Sequence, residues 1–157
     1  MFIEKTVISY PLSLDNYAEV IKRNLGFETS ETIDDNYINS MIYSATDDTA
    51  GEIGADVAFT QNTVKLYNFS SDEAVITSGN LTGDASIEVI SDSSTLVTSY
   101  TLVKGYNNFK LVFNESVSSD PLTITWFSGY ETLEDMPIGL RYCIMNNVQY
   151  QYLHNEE

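Results

Sequence analysis

Histidine and cysteine are almost missing from this chain, with one of each, His154 and Cys143, in 157 residues. A lone histidine near the end of the chain leaves no means of assembling a Ser-His-Asp triad, a Cys-His pair or a histidine-rich zinc site. A lone cysteine excludes an internal disulfide. Cys143 sits in an apolar, helical setting with hardly a cation nearby, so it is expected as a small buried packing residue rather than a reactive thiol. Positive charge is scarce too: seven Lys and Arg stand against 23 Asp and Glu, for a net charge of -16. No Lys or Arg occurs between Asn24 and Val64. Such a surface repels phosphate backbones and argues against tight nucleic-acid binding, which draws its affinity from cations at phosphates. Long apolar runs are also lacking, and the first ten residues carry Glu4 and Lys5. They read as neither a signal peptide nor a membrane span, so the protein is expected to stay in the cytosol where it is made, away from membranes.

Phosphate-binding loops are missing as well. Gly79, Gly83 and Gly105 fall between β-type segments, without the Lys-Ser/Thr or the following helix that a phosphate cradle needs. Carboxylates are abundant, in pairs such as Asp34-Asp35, Asp47-Asp48, Asp72-Glu73 and Glu134-Asp135. None follows the D-x-D-x-D-G spacing of a calcium loop, and pairs are expected by chance in so acidic a chain. No catalytic residue, cofactor site or metal site is assigned, and an enzyme is not expected.

What is present is a globular composition, 43% hydrophobic and 12% aromatic, at a length that suits one domain over residues 1–157. Three helices are predicted, at about 13–25, 34–53 and 137–153. In the first, Ser13 caps, Asp15 favours the positive end and Lys22 and Arg23 the negative end, while Leu14, Tyr17, Ala18, Ile21 and Leu25 share a face that Gly26 terminates. In the second, Thr32 or Asp34 caps, Ile38, Met41, Ile42, Ala45 and Thr49 form the packing face, and Gly51 and Gly54 stop it. Asp47 and Asp48 point mostly elsewhere. In the third, Pro137 suits the first turn, and Leu140, Cys143 or Ile144, Asn147, Val148 and Gln151 trace the inner side. Between the second and third helices, over about 57–128, the period changes to two, which reads as five or six mostly antiparallel strands. Phe109, Leu111 and Phe113 alternate with Lys110 and Val112, and Leu96 to Val103 reads as a longer strand. Turns are expected at Ser78–Asp84 and Lys104–Asn108. Leu122, Ile124 and Trp126 give the cleanest alternation, with Trp126 in the core. The fold class is α+β, with helices at both ends bracketing the β region.

The order of these signals resembles the tailed-phage head-tail connector family, small adaptors that form a ring beneath the portal. Leu12-Ser13-Leu14-Asp15-Asn16 is similar to the family's opening before a short first helix. Asp34 and Asp35 followed by Ile38, Met41, Ile42 and Ala45 match its second helix. Ile124 to Phe127 with Ser128-Gly129-Tyr130 matches the strand and glycine-tyrosine turn, and Pro137 through Tyr152 the final helix. The stretch from about Phe59 to Pro121 matches only in being β-rich. Gly54-Ala55-Asp56 stands where the family often has a basic residue, and Tyr152-Leu-His-Asn where it often has Tyr and Arg.

The resemblance implies a structural virion protein that joins the capsid portal to the tail and extends the DNA channel. Its partners would be the portal protein, tail or further connector proteins, and its own copies in a ring, commonly dodecameric in this family. It would reside at the head-tail junction of the virion and in the host cytoplasm during assembly. Genome DNA would pass without specific binding, since an electronegative lumen does not adhere to it. Asp47, Asp48 and Glu52 are the candidate lumen acids. Tyr142, Tyr150 and Tyr152, aromatic residues on a half-polar helix, are the candidate protein–protein interface. The alternative is a β-rich carbohydrate-binding or adhesion module, in which the eleven tyrosines and Trp126 would form a stacking platform.

Overall fold

The structure, a computed structural model, describes residues 1–28, 30–32, 34–77, 81, 87–106 and 108–155, the side chain of residue 155 excepted. The chain divides into two compact units, one of Met1–Ile8 with Phe59–Gly129 and one of Ser9–Ala58 with Tyr130–Glu157.

The first unit is built from strands. Seven are described in the chain: β1 (Ile3–Ser9), β2 (Phe59–Leu66), β3 (Phe69–Ile76), β4 (Glu88–Ile90), β5 (Tyr100–Lys104), β6 (Phe109–Ser119) and β7 (Leu122–Ser128). They form a four-stranded sheet in the order β1-β2-β7-β4 and a three-stranded sheet in the order β3-β6-β5. The β2–β7, β4–β7, β3–β6 and β5–β6 ladders are antiparallel. Residue alternation fixes the register. Val64 lies opposite Ile124 and Asn62 opposite Trp126, so one row of β2 and β7 side chains points inward. That row meets Ala74, Ile76, Phe109, Leu111 and Phe113 of the other sheet in one apolar core. Trp126 is fully buried at its centre, edge-on to Phe109 with ring centroids 5.1 Å apart.

Six strands thus fill the predicted β region, and one more, β1, precedes the first helix. The Leu96–Val103 strand is shorter than its sequence suggests: ladder pairing with β6 begins at Tyr100, and Leu96 makes only an isolated bridge to Ile90. The Lys104–Asn108 turn closes with the Gly105 N–H donating to the Asn108 carbonyl at 2.8 Å. The turn expected at Ser78–Asp84 lies, Leu81 apart, outside the described residues.

The second unit is helical, with α1 (Leu14–Leu25), α2 (Asp35–Ile53) and α3 (Ile138–Asn155). At the start of α1, the Asn16 side chain accepts the Ser13 N–H at 2.9 Å and donates to the Pro11 carbonyl. The Leu14 N–H is taken by Asn39 of α2 at 3.0 Å, so the first turn of one helix is tied to the flank of another. Gly26 and Gly54 end α1 and α2 in left-handed conformations, at φ 84° and 68°, that a Cβ would disfavour. Pro137 stands directly before α3, its carbonyl accepting the Leu140 and Arg141 N–H groups. The core joins Leu12, Leu14 and Ile21 to Ile38, Met41, Ile42 and Ala45 of α2 and to Ile144, Met145, Val148 and Tyr152 of α3.

Two side chains depart from expectation. Cys143 is exposed, because the buried line of α3 runs through Ile144, Met145, Val148 and Tyr152, and Cys143 falls just outside that arc. Lys22, a base at the negative end of α1, is 3% exposed. Its ammonium pairs with Asp35 at 2.9 Å and donates to the Glu31 carbonyl, which gives a buried charge both a counter-ion and a hydrogen bond.

Candidate functional site

Charge is divided unequally between the units. Fifteen of the acids and three of the bases belong to the helical unit, leaving it at -12, while eight acids and four bases leave the sheet unit at -4. Most of the negative charge therefore lies in the helical unit.

Within α2 the division is sharper. Its buried stripe is Ile38, Met41, Ile42, Ala45, Thr46 and Thr49. Thr46 and Thr49 enter it without orphaning their hydroxyls, which donate to the Ile42 and Ala45 carbonyls at 2.7 and 2.8 Å. Asp47, Asp48 and Glu52 of the same helix are all exposed, Asp47 facing away from the stripe. These acids sit in the C-terminal half of a helix with no base in its last turn, where the carbonyl end of the dipole already disfavours negative charge. Asp48 and Glu52 make no ion pair among the described residues. Asp47 is engaged differently: the Tyr10 hydroxyl donates to both its oxygens, at 3.1 and 3.3 Å, and Tyr10 stacks on Tyr43 with centroids 4.2 Å apart. Burial and then the Asp47 hydrogen bond hold the Tyr10 phenol protonated above its ordinary range. Asp47 is thus partly a structural acceptor, and Asp48 and Glu52 carry the less constrained charge.

α3 presents the reverse chemistry. It contains no acid in its eighteen residues. Its outer arc exposes Ile138, Tyr142, Tyr150 and Leu153 together with Cys143, Asn146 and Gln149. Tyr142 and Tyr150 are 59% and 61% exposed. Tyr150 is held in place, its ring stacked on His154 at 3.9 Å while His154 Nδ1 donates to the Tyr150 carbonyl at 2.8 Å. Tyr152 lies elsewhere: it is 5% exposed, edge-on to Phe27, and its hydroxyl donates to Asp34 at 3.2 Å. Of the three tyrosines singled out by sequence, two share the outer arc and the third belongs to the core. The signal that marks this arc in the sequence is an acid-free helix in an acid-rich chain.

Other chemistry is sparse. Among the described residues no three His, Cys, Asp or Glu side chains come together as a metal site would require. No described helix is long and apolar enough to cross a membrane. Trp126, the aromatic residue most suited to stacking on a sugar, is fully buried and unavailable for it.

No protein-family model matches the chain, and no protein of curated function matches it. Solved structures do. A chain from the "Neck of empty GTA particle computed with C6 symmetry" superposes with a TM-score of 0.69 at 12% identity, over 97% of this chain and 84% of that one. A chain from the "Virion of native gene transfer agent (GTA) particle" gives 0.67 at 13% identity, over 97% and 84%. A third, from the "Neck of native GTA particle computed with C12 symmetry", gives 0.66 at 12%, over 97% and 83%. At these identities the likeness is one of fold, and it spans both units.

Proposed function

We propose that the chain is a structural protein of a phage-like particle, a connector at the head-tail junction whose copies form a ring beneath the portal and extend the DNA channel. The observation that carries this reading is the likeness of 97% of the chain to chains from gene transfer agent particles, two of them from necks solved with six- and twelvefold symmetry. The charge distribution supports it. In a ring the acids of the helical unit multiply around a common axis, and a negative lumen lets DNA pass without adhesion. Asp48 and Glu52, with Asp47 beside them, line that channel. The acid-free arc of α3, with Tyr142 and Tyr150 as its aromatic anchors, docks on the portal. The two units work as one connector domain over 1–157, through assembly rather than catalysis and without a cofactor. The protein resides in the virion, having assembled in the host cytoplasm.

The test is mass by light scattering across a concentration series, alone and with a portal ring, followed by negative-stain images. Closed rings, or binding that requires the portal, are expected. A monomer indifferent to the portal overturns the reading and returns the carbohydrate-binding module to first place, to be checked on a glycan array.

A further inference from the structure

Four strand edges bound the two sheets, and they are not equally protected. β3 carries Asp72 and Glu73 and a register shift between Ser71 and Glu73, the charge-and-bulge combination that discourages pairing. β4 is three residues long, and Ile90 is capped by its bridge to Leu96. β1 and β5 lack the acid pair of β3 and are longer than β4. β1 runs seven residues without proline, and six of them are exposed, so along most of its length it covers almost no core. Beside it Phe2 and Tyr67 are 83% and 67% exposed. β5 is regular from Tyr100 to Lys104, with Val103 exposed.

The charge pattern says what can approach these edges. No acid occurs from Val57 to Ser71, which includes β2 beside β1, and none from Val97 to Asn114, which includes β5 and the first half of β6. β1 itself is neutral, with Glu4 beside Lys5, and β5 has one base, Lys104, and no acid. In a chain of net charge -16 these are the places where a second copy can come within a Debye length, about 8 Å in physiological salt, with least repulsion. A rotational ring also needs two different patches per subunit, one meeting the other on the next copy. Among the described residues the sheet unit offers two open edges, in different sheets, each acid-poor.

We propose that β1 of one copy adds as a strand to the β5 edge of the next, closing the ring through main-chain hydrogen bonds. The inference rests on the ring reading and names its subunit contact. Thr6→Pro and Val7→Pro test it as a pair: neighbouring residues direct their N–H groups to opposite sides of a strand, so one proline strikes the β2 ladder and the other the open edge. A thermal melt identifies the open-edge variant as the one that keeps the wild-type transition. In light scattering that variant is expected to need at least a tenfold higher concentration to form rings. In a Cys143→Ser background, mixed Thr6→Cys and Thr101→Cys proteins are expected to cross-link to each other. Unchanged rings from the open-edge variant, or cross-links only between two copies of Thr6→Cys, overturn the β1–β5 contact while the ring reading stands. Wild-type protein that forms no ring, alone or on a portal, removes both.

Discussion

At the scale of the residue, the acid-rich helical unit is held by polar contacts that each answer a local electrostatic demand. Lys22 is buried because Asp35 and the Glu31 carbonyl replace the water it loses. Asp34 lends its carboxylate to Tyr152, which lets a tyrosine hydroxyl end inside the core of three helices. Tyr10 is the residue whose protonation reports on this arrangement. Its phenol is held protonated above pH 10 first by burial, then by the hydrogen bond to Asp47, with the charges of Asp47 and Tyr43 behind them. The folded state therefore binds this proton more tightly than the unfolded chain. Its contribution to stability is complete below the unfolded value and is lost as pH rises through the raised folded one. Urea midpoints should fall between pH 10 and 12, and Tyr10→Phe should make that fall shallower without abolishing it, because burial raises Tyr100 as well. At neutral pH the substitution should cost no more than about 1 kcal/mol, the worth of one exposed hydrogen bond. An identical alkaline slope in the two proteins would mean that Asp47 does not hold Tyr10.

At the scale of the element, what was legible in the sequence follows how each segment is buried. α2 packs one face against one core, so its 3.6-residue period named Ile38, Met41, Ile42, Ala45 and Thr49 correctly. β7 is central in its sheet and one-sided, so Leu122, Ile124 and Trp126 stood out. β1 escaped notice because an edge strand with both faces exposed has no alternation to read. Cys143 was misplaced because the apolar residues of α3 surround much of the helix, and a period cannot tell the face that meets α1 and α2 from the face left open. The partition into two sheets depends on pairings far apart in sequence, such as Val64 with Ile124, which no local signal encodes. The two faces of α3 make a separable prediction. Ile144→Ala, in the buried arc, should lower stability by about 2–5 kcal/mol in urea unfolding. Tyr142→Ser with Tyr150→Ser, in the exposed arc, should change it by no more than about 0.5 kcal/mol and yet abolish portal binding in co-sedimentation. Portal binding that survives the double substitution would move the docking surface off α3.

At the scale of the whole molecule, the charge divides as -12 in the helical unit against -4 in the sheet unit. Asp48 and Glu52 are exposed acids of the helical unit with no ion pair among the described residues, and stability does not explain them. Glu52 in particular opposes the helix dipole, which costs about 0.3–1 kcal/mol in the last turn. Replacing Asp48 and Glu52 with lysine should leave the fold intact, since their side chains are exposed, and should preserve or slightly raise the melting temperature. In a ring the same change turns a repelling wall into one that binds phosphate. Each lysine that contacts the backbone adds close to one unit to the salt dependence of DNA adhesion. Particles assembled with the variant should therefore eject DNA more slowly, by on the order of tenfold or more at low ionic strength, and recover as salt is raised. The salt recovery is the discriminating readout, because a ring that was merely misassembled would stay slow at every ionic strength. Ejection unchanged at low salt would place these acids outside the channel and leave the charge of the helical unit a matter of solubility.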